Sequence, residues 1–181
     1  MATNTSPLST APADGPQPDH LRRLYAGIPA GVAAVCAVVD GAPDGLAVST
    51  LVPVSLDPPL LSICVQRESR TWQRLRTVPR LGVSVLNAGQ RDAASALAAR
   101  DGDRFAGLHW DDRDGCLCIA DATAHFGCSV DSETTVGDHQ LVLLRVHRGF
   151  RSEHEPILFH NSTFRSIHRD IPAAGTAGGR P

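Results

Sequence analysis

The sequence contains no lysine, and all 17 of its basic residues are arginine. That choice fits a GC-rich coding sequence and is assigned no function. Neither sign of charge is in excess: 17 basic residues face 19 acidic ones, for a formal net charge of -2. A protein of nucleic acid or of an anionic membrane surface would show a basic footprint, and this chain has none. No stretch approaches the roughly 20 apolar residues of a membrane span. The first 18 residues hold no Lys or Arg and lack the basic-then-apolar order of a secretion signal. They are expected to form a disordered tail on a cytoplasmic protein. Cys36, Cys64, Cys116, Cys118 and Cys128 form no C-x-x-C pair, and four of them sit in or beside apolar runs. A zinc site would need a second cysteine pair or histidines at set spacing, so buried, reduced thiols and no metal are expected. No G-x-G-x-x-G opens a helix, which leaves out a Rossmann-type dinucleotide site. No internal repeat is present.

What remains suits one domain, because 181 residues can bury about 70% of their unfolded surface. Asp19–Tyr25 reads as a short helix with Leu21, Leu24 and Tyr25 on one side. The small apolar residues of Gly31–Val39 suit a strand buried on both faces, and Asp40–Gly45 a turn. A helix follows from about Arg70 to Thr77, stopped by Pro79. Leu81–Leu86 alternates as a strand, and the alanine-rich Arg91–Arg100 is a helix. Asp101–Asp114 reads as a loop anchored by Phe105 and Leu108, with Trp110 in the core. Ala122–Val130, Gln140–Phe150, Ile157–Phe159 and Thr163–Ile167 supply the remaining strands. Residues 171–181 have few side chains to anchor them and are expected to be disordered. The folded domain, 19–170, is therefore mainly β with two or three short helices, and its short strands argue for a barrel.

The most informative stretch runs from Asp44 to Leu75. Two apolar runs, Leu46–Leu56 and Leu60–Val65, are joined by Asp57-Pro58-Pro59. Prolines fix φ and supply no N–H, so that joint is a turn or an edge. The first run carries hydroxyls at Ser49, Thr50 and Ser55. The second ends in the polar cluster Gln66–Thr71, which opens a helix with Ser69 as a credible N-cap. Hydroxyls, guanidinium groups and free backbone N–H groups together favour an anion. Each charge-assisted hydrogen bond to a phosphate there is worth ~1.5–3 kcal/mol. The residues point to a phosphate site beside an apolar strand edge.

The run G-L-A-V-S-T, V-S-L-D-P-P-L-L and V-Q-R-E-S-R-T-W resembles the flavin reductase family, split-barrel proteins that reduce free flavin for a partner oxygenase. D-R-F-A-G-L-H-W from Asp103, Gly137-Asp138-His139 and P-I-L-F from Pro156 follow in the family's order, over roughly residues 20 to 168. The resemblance implies a split β-barrel homodimer with a flavin site at each side of its interface. It places Val48, Ser49, Thr50 and Ser55 along the ribityl-phosphate and ring. Backbone groups of Cys64, Val65 and Gln66 would meet the ring's edge. Ser69, Arg70 and Thr71 would hold the phosphate, with Arg67 as the competing guanidinium. Phe105 would cover the flavin or shape its pocket. His139 would act at the nicotinamide as the one catalytic candidate, and Phe159 and Arg165 would lie near the second site or the dimer seam. Each also has an ordinary structural use, as a strand hydroxyl, a helix cap, a packing anchor or a solvated arginine. Many relatives carry Gly where this chain has Leu144 and Pro where it has Leu117, which bears on local backbone shape.

Hydride transfer between a nicotinamide and a flavin needs no nucleophile or paired carboxylates, because the cofactors bring their own reactivity. The expected function is NAD(P)H-dependent reduction of FMN or FAD, with NADH or NADPH as donor. Reduced flavin would diffuse to a flavin-dependent monooxygenase or halogenase. The alternatives are a flavin carrier or sensor without turnover, and a reductase that keeps its flavin and serves another acceptor.

Overall fold

The first apolar run is not one strand. In the computed structural model, which describes residues 15–167, it breaks into β3 (Ala42–Val48) and β4 (Val52–Leu56). Ser49 and Thr50 therefore stand in a link, and Ser55 alone of the three hydroxyls lies in a strand. The expected disorder of 171–181, and of most of 1–18, falls outside the described residues. The other elements follow the apolar patterning closely. Helix α1 is Pro18–Ala26, α2 is Arg70–Leu75 and α3 is Arg91–Ala98. The strands are β1 (Ala30–Gly31), β2 (Ala33–Val39), β5 (Pro59–Gln66), β6 (Leu81–Val85), β7 (Trp110–Asp112) and β8 (Leu117–Ile119). They end with β9 (Ala124–Val136), β10 (His139–Arg151), β11 (Leu158–His160) and β12 (Thr163–Arg165).

Three expectations need correction. The turn after β2 is only Asp40-Gly41, with φ of 52° and 81°, the pair of positive values a tight hairpin of the right twist demands. Pro43 lies inside β3, which tolerates it as a sheet edge. Strand β9 continues through the polar residues Asp131–Val136, whose composition hid it, and pairs with β10 across a Gly137-Asp138 turn. Trp110 is not core: it sits on the exposed strand β7 and is 38% exposed. As for the departures from the family pattern, Leu144 borders a register shift in the β9–β10 pair. Leu117 is buried, with its carbonyl where a side chain on Gly82 would stand, so β6 needs glycine there.

Seven strands form one antiparallel sheet in the order β3-β2-β6-β9-β10-β5-β4. Laid flat, its two edges would be separated by six spacings of about 4.8 Å, roughly 29 Å. Yet β3 and β4 are joined by Ser49-Thr50-Leu51 alone, four Cα steps that span roughly 14 Å at most. The sheet must roll until its edges nearly meet, which is the expected open barrel. One core fills its interior, with Val35, Ile63, Leu81, Val83 and Val142 from the strands and Trp72 and Leu75 from α2. A second core packs Ala34, Cys36 and Leu86 against Leu97 of α3 and Ile119 of β8. Strand β2 contributes to both, so it is buried on both faces as its composition predicts. Helix α1 differs, because it buries no residue, and Leu24 and Tyr25 are exposed.

Cys36, Cys116, Cys118 and Cys128 are buried and unpaired. Desolvation raises all four thiols above their ordinary value near 9, Cys118 to about 11 and Cys128 to about 12. The folded chain then keeps protons that the unfolded chain releases, so the stabilisation is complete below about pH 9 and is lost as pH rises through these values. Denaturant midpoints at about pH 8 and about pH 10 should show the drop, and a flat profile would mean that solvent reaches the thiols. A thiol reagent at neutral pH should label the half-buried Cys64 and spare the other four until unfolding.

Candidate active site

A cleft of about 810 Å³ opens where the end of β3, the 49–51 link, the end of β5 and the start of α2 come together. The loop after α3 and His139 complete it. Ten of the residues singled out in the sequence line this cleft: Val48, Ser49, Thr50, Cys64, Val65, Gln66, Ser69, Arg70, Thr71 and His139. Four do not. Ser55 pairs with Leu60 in the β4–β5 ladder. Phe105 packs against the second core and faces a neighbouring cavity. Phe159 stacks edge-on with Phe164 at 5.2 Å, beside the second core, and Arg165 lies on exposed β12. Arg67 stays outside the cleft too; its N–H donates to the Asp138 carbonyl.

Most of the predicted hydroxyls are already engaged within the protein. Thr50 Oγ1 donates to the Cys64 carbonyl at 3.0 Å and accepts from the Cys64 N–H at 2.9 Å. It stands in for the strand neighbour that β5 lacks beyond the start of β4, so the Cys64 backbone is not free for a ring edge. Ser69 Oγ accepts from the Trp72 N–H and caps α2 as expected. Thr71 Oγ1 accepts from Arg104 Nη1 at 2.7 Å. Ser49 makes no side-chain hydrogen bond within the described residues and is exposed at the cleft.

The arginines give the cleft its character. Arg70, Arg74, Arg100 and Arg104 line it, with Glu68 as the one lining carboxylate. Arg74 pairs with Asp44 at 2.7 Å. Arg104 donates to the Gly45 carbonyl at 2.8 Å as well as to Thr71, which straps the loop after α3 onto β3 and α2. Arg70 and Arg100 make no ion pair among the described residues. Such a concentration of unneutralised positive charge in a chain of net charge -2 selects an anion. Sequence reading passed over Arg74, Arg100 and Arg104. Arg74 was within reach, since it follows Arg70 by one helical turn.

Helix α2 is anchored from below. Trp72 is fully buried, and its Nε1 donates to Glu133 Oε1 at 2.8 Å. Arg76 pairs with the same carboxylate. His139 opens β10 opposite Gln66 and Val136, which sets it at the end of β5. Its Nδ1 lies 2.8 Å from Asp138 Oδ1. The hydrogen bond from that ring holds the Asp138 carboxyl below the usual carboxylate range, and leaves Nε2 as the ring's remaining hydrogen-bonding atom.

The description "Flavin reductase like domain" matches residues 25–168. The chain belongs to the flavin reductase family. It is 39% identical over 145 residues to a flavin reductase (NADPH) of Lentzea aerocolonigenes, covering 78% of this chain and 84% of that one. It is 30% identical over 165 residues to the reductase subunit HsaB of a flavin-dependent monooxygenase of Rhodococcus jostii, covering 89% and 85% of the two chains. Among solved structures it resembles the NADH:FAD oxidoreductase of Streptomyces globisporus C-1027, solved with NAD and FAD fragments. The TM-score is 0.77 at 36% identity, with 87% of this chain and 94% of that chain covered.

Two substitutions separate the scaffold of this flavin reductase from its anion site. Thr50→Val should cost about 1–2 kcal/mol of stability by removing both hydrogen bonds to Cys64, read as a lower denaturant midpoint. Arg70→Ala should leave that midpoint unchanged and weaken flavin binding by ~1–2 kcal/mol, a factor of roughly 5–30. Unchanged affinity on titration would move the phosphate to another arginine.

Proposed function

We propose that this flavin reductase transfers hydride from NADH or NADPH to free FMN or FAD in the arginine-lined cleft, and releases reduced flavin to a partner oxygenase. The observation that carries the reading is the meeting of unpaired guanidinium groups with a strand-edge cleft in a member of this family. The cofactors supply the redox chemistry, so the chain's own task is to bind, orient and keep water out. Arg70 and Arg100 are free to take phosphate oxygens, and a planar guanidinium does so through two hydrogen bonds. Ser49 offers a hydroxyl to the ribityl chain. Val48 and Val65, both buried, supply apolar wall. His139, oriented by Asp138, sits at the nicotinamide side and offers Nε2 to the donor or to the charge gained by the reduced ring.

Dimerisation is part of the same proposal. The edge strand β4 exposes Val52, Val54 and Leu56, and the segment from α1 exposes Leu24, Tyr25 and Ile28. An uncovered edge with apolar side chains is a liability that a second copy removes. Five unpaired thiols suit a reducing compartment, which supports a cytoplasmic location. No helix among the described residues is long and apolar enough to cross a membrane.

Anaerobic stopped-flow mixing of protein, flavin and NADH or NADPH tests the function through bleaching of the oxidised flavin band. Rapid bleaching with one pair is expected. Binding without bleaching by either donor would leave a flavin carrier in place of an enzyme. In the same assay His139→Ala should raise the donor KM or slow bleaching while flavin affinity holds. Equal loss of both would make the histidine a structural residue.

A further inference from the structure

Helix α2 has only six residues, too few to hold a position by its own hydrogen bonds. Trp72 and Leu75, both fully buried, press it onto the barrel. Apolar contact has no direction, so these two set how deep the helix sits and do little to fix its rotation. A single carboxylate does that. Glu133 Oε1 accepts from Trp72 Nε1 at 2.8 Å, and Oε2 pairs with Arg76. Trp72 and Arg76 are four residues apart and so lie one above the other on the same helical face. Glu133 thus grips α2 in its first turn and again at its C-cap.

Resting on the reading of the cleft as the flavin site, we propose that Glu133 is a positioning residue for the reduction: it aims the first turn of α2, and with it Arg70 and Thr71, at the flavin phosphate. Glu133 does not line the cleft, so it acts through the helix. Within the polar end of β9, Asp131–Val136, it is the one residue that is not exposed, and its side chain is only 12% exposed. Taking a carboxylate that far out of water is costly, and an apolar side chain of similar volume would serve stability as well. What the apolar side chain lacks is direction, which a hydrogen bond supplies.

The base of this grip is firm. Glu133 pairs with Val142 of β10, which pairs in turn with Ile63 of β5. The same hairpin holds the entry to the helix, where the Arg67 N–H donates to the Asp138 carbonyl at 3.1 Å. The effect reaches beyond α2, because Thr71 Oγ1 accepts from Arg104, in the loop that also carries Arg100. One acid behind the helix therefore orients both guanidinium groups left for a ligand.

Flavin titration and steady-state kinetics of the full chain, beside denaturant midpoints, test the assignment. Glu133→Ala removes both grips and should raise the flavin Kd and KM about tenfold, a modest share of the ~10²-fold that a 1 Å misplacement can cost. At saturating flavin kcat should stay within about twofold, as expected for lost binding rather than lost chemistry. Glu133→Gln keeps an acceptor for Trp72 Nε1 and should bring flavin affinity back to within about threefold of the unaltered protein. Trp72→Phe removes the same hydrogen bond from the helix side and should raise the flavin KM as Glu133→Ala does, so it carries the test if Glu133→Ala does not fold. A lower midpoint with flavin Kd and KM unchanged would overturn the proposal and leave Glu133 a residue of stability alone. Equal loss in the Gln and Ala variants, or a fall in kcat with KM unchanged, would overturn it too. Arg70→Ala separates this from failure of the reading beneath it. Flavin affinity that survives Arg70→Ala overturns the phosphate site itself, whereas affinity lost with Arg70→Ala and kept with Glu133→Ala overturns the positioning role alone.

Discussion

The short link between the two edges of the main sheet is the constraint on which the structure depends. Ser49-Thr50-Leu51 joins β3 to β4 across a distance that only a rolled sheet allows. Rolling brings the end of β3 against the end of β5, but β4 starts too late to cover β5 fully. Thr50 spans the gap with one hydroxyl that satisfies both backbone groups of Cys64. A side chain thus completes a ladder that the backbone leaves unfinished, and the place where the ladder fails is where the cleft opens. The candidate site lies at the seam of the barrel for that reason.

A second layer of organisation is electrostatic. The chain as a whole is close to neutral, so no long-range field of one sign attracts the substrate. Arginines are instead gathered at one seam, and two of them are fixed by internal partners. Arg74 is held by Asp44, and Arg104 by the Gly45 carbonyl and Thr71. These shape the wall, while Arg70 and Arg100 keep their hydrogen-bonding capacity for a ligand. The division of labour follows from the planar guanidinium, which can serve a protein acceptor on one edge and a ligand on another.

Much of this was legible in the sequence, and the exceptions have physical causes. Ser69, Arg70 and Thr71 were readable because a cap and the first helical turn are local features. The place of His139 in the cleft was indicated only by the resemblance carried by Gly137-Asp138-His139. The linking role of Thr50 was not, since the run from Leu46 to Leu56 is mostly apolar on both sides of Ser49-Thr50 and nothing local marks a crossing from one sheet edge to the other. Arg104 was hidden because its partners, Gly45 and Thr71, are far away in sequence. The polar end of β9 escaped because its residues earn their place by pairing with β10 and not by burial. Trp110 misled for the opposite reason: a large aromatic suggests core, yet here it lies on a small exposed ribbon.

Trp72 is buried in the floor of α2, directly after Thr71 in the chain. The chain's other tryptophan, Trp110, is partly open to solvent on β7. The two indoles therefore occupy environments of very different polarity, and their emission should separate into a blue and a red component. The oxidised flavin ring absorbs where indole emits, and Trp72 is the indole set beneath the cleft. Selection for a well-packed α2 has in this way given the protein a built-in optical reporter of whether its site is filled.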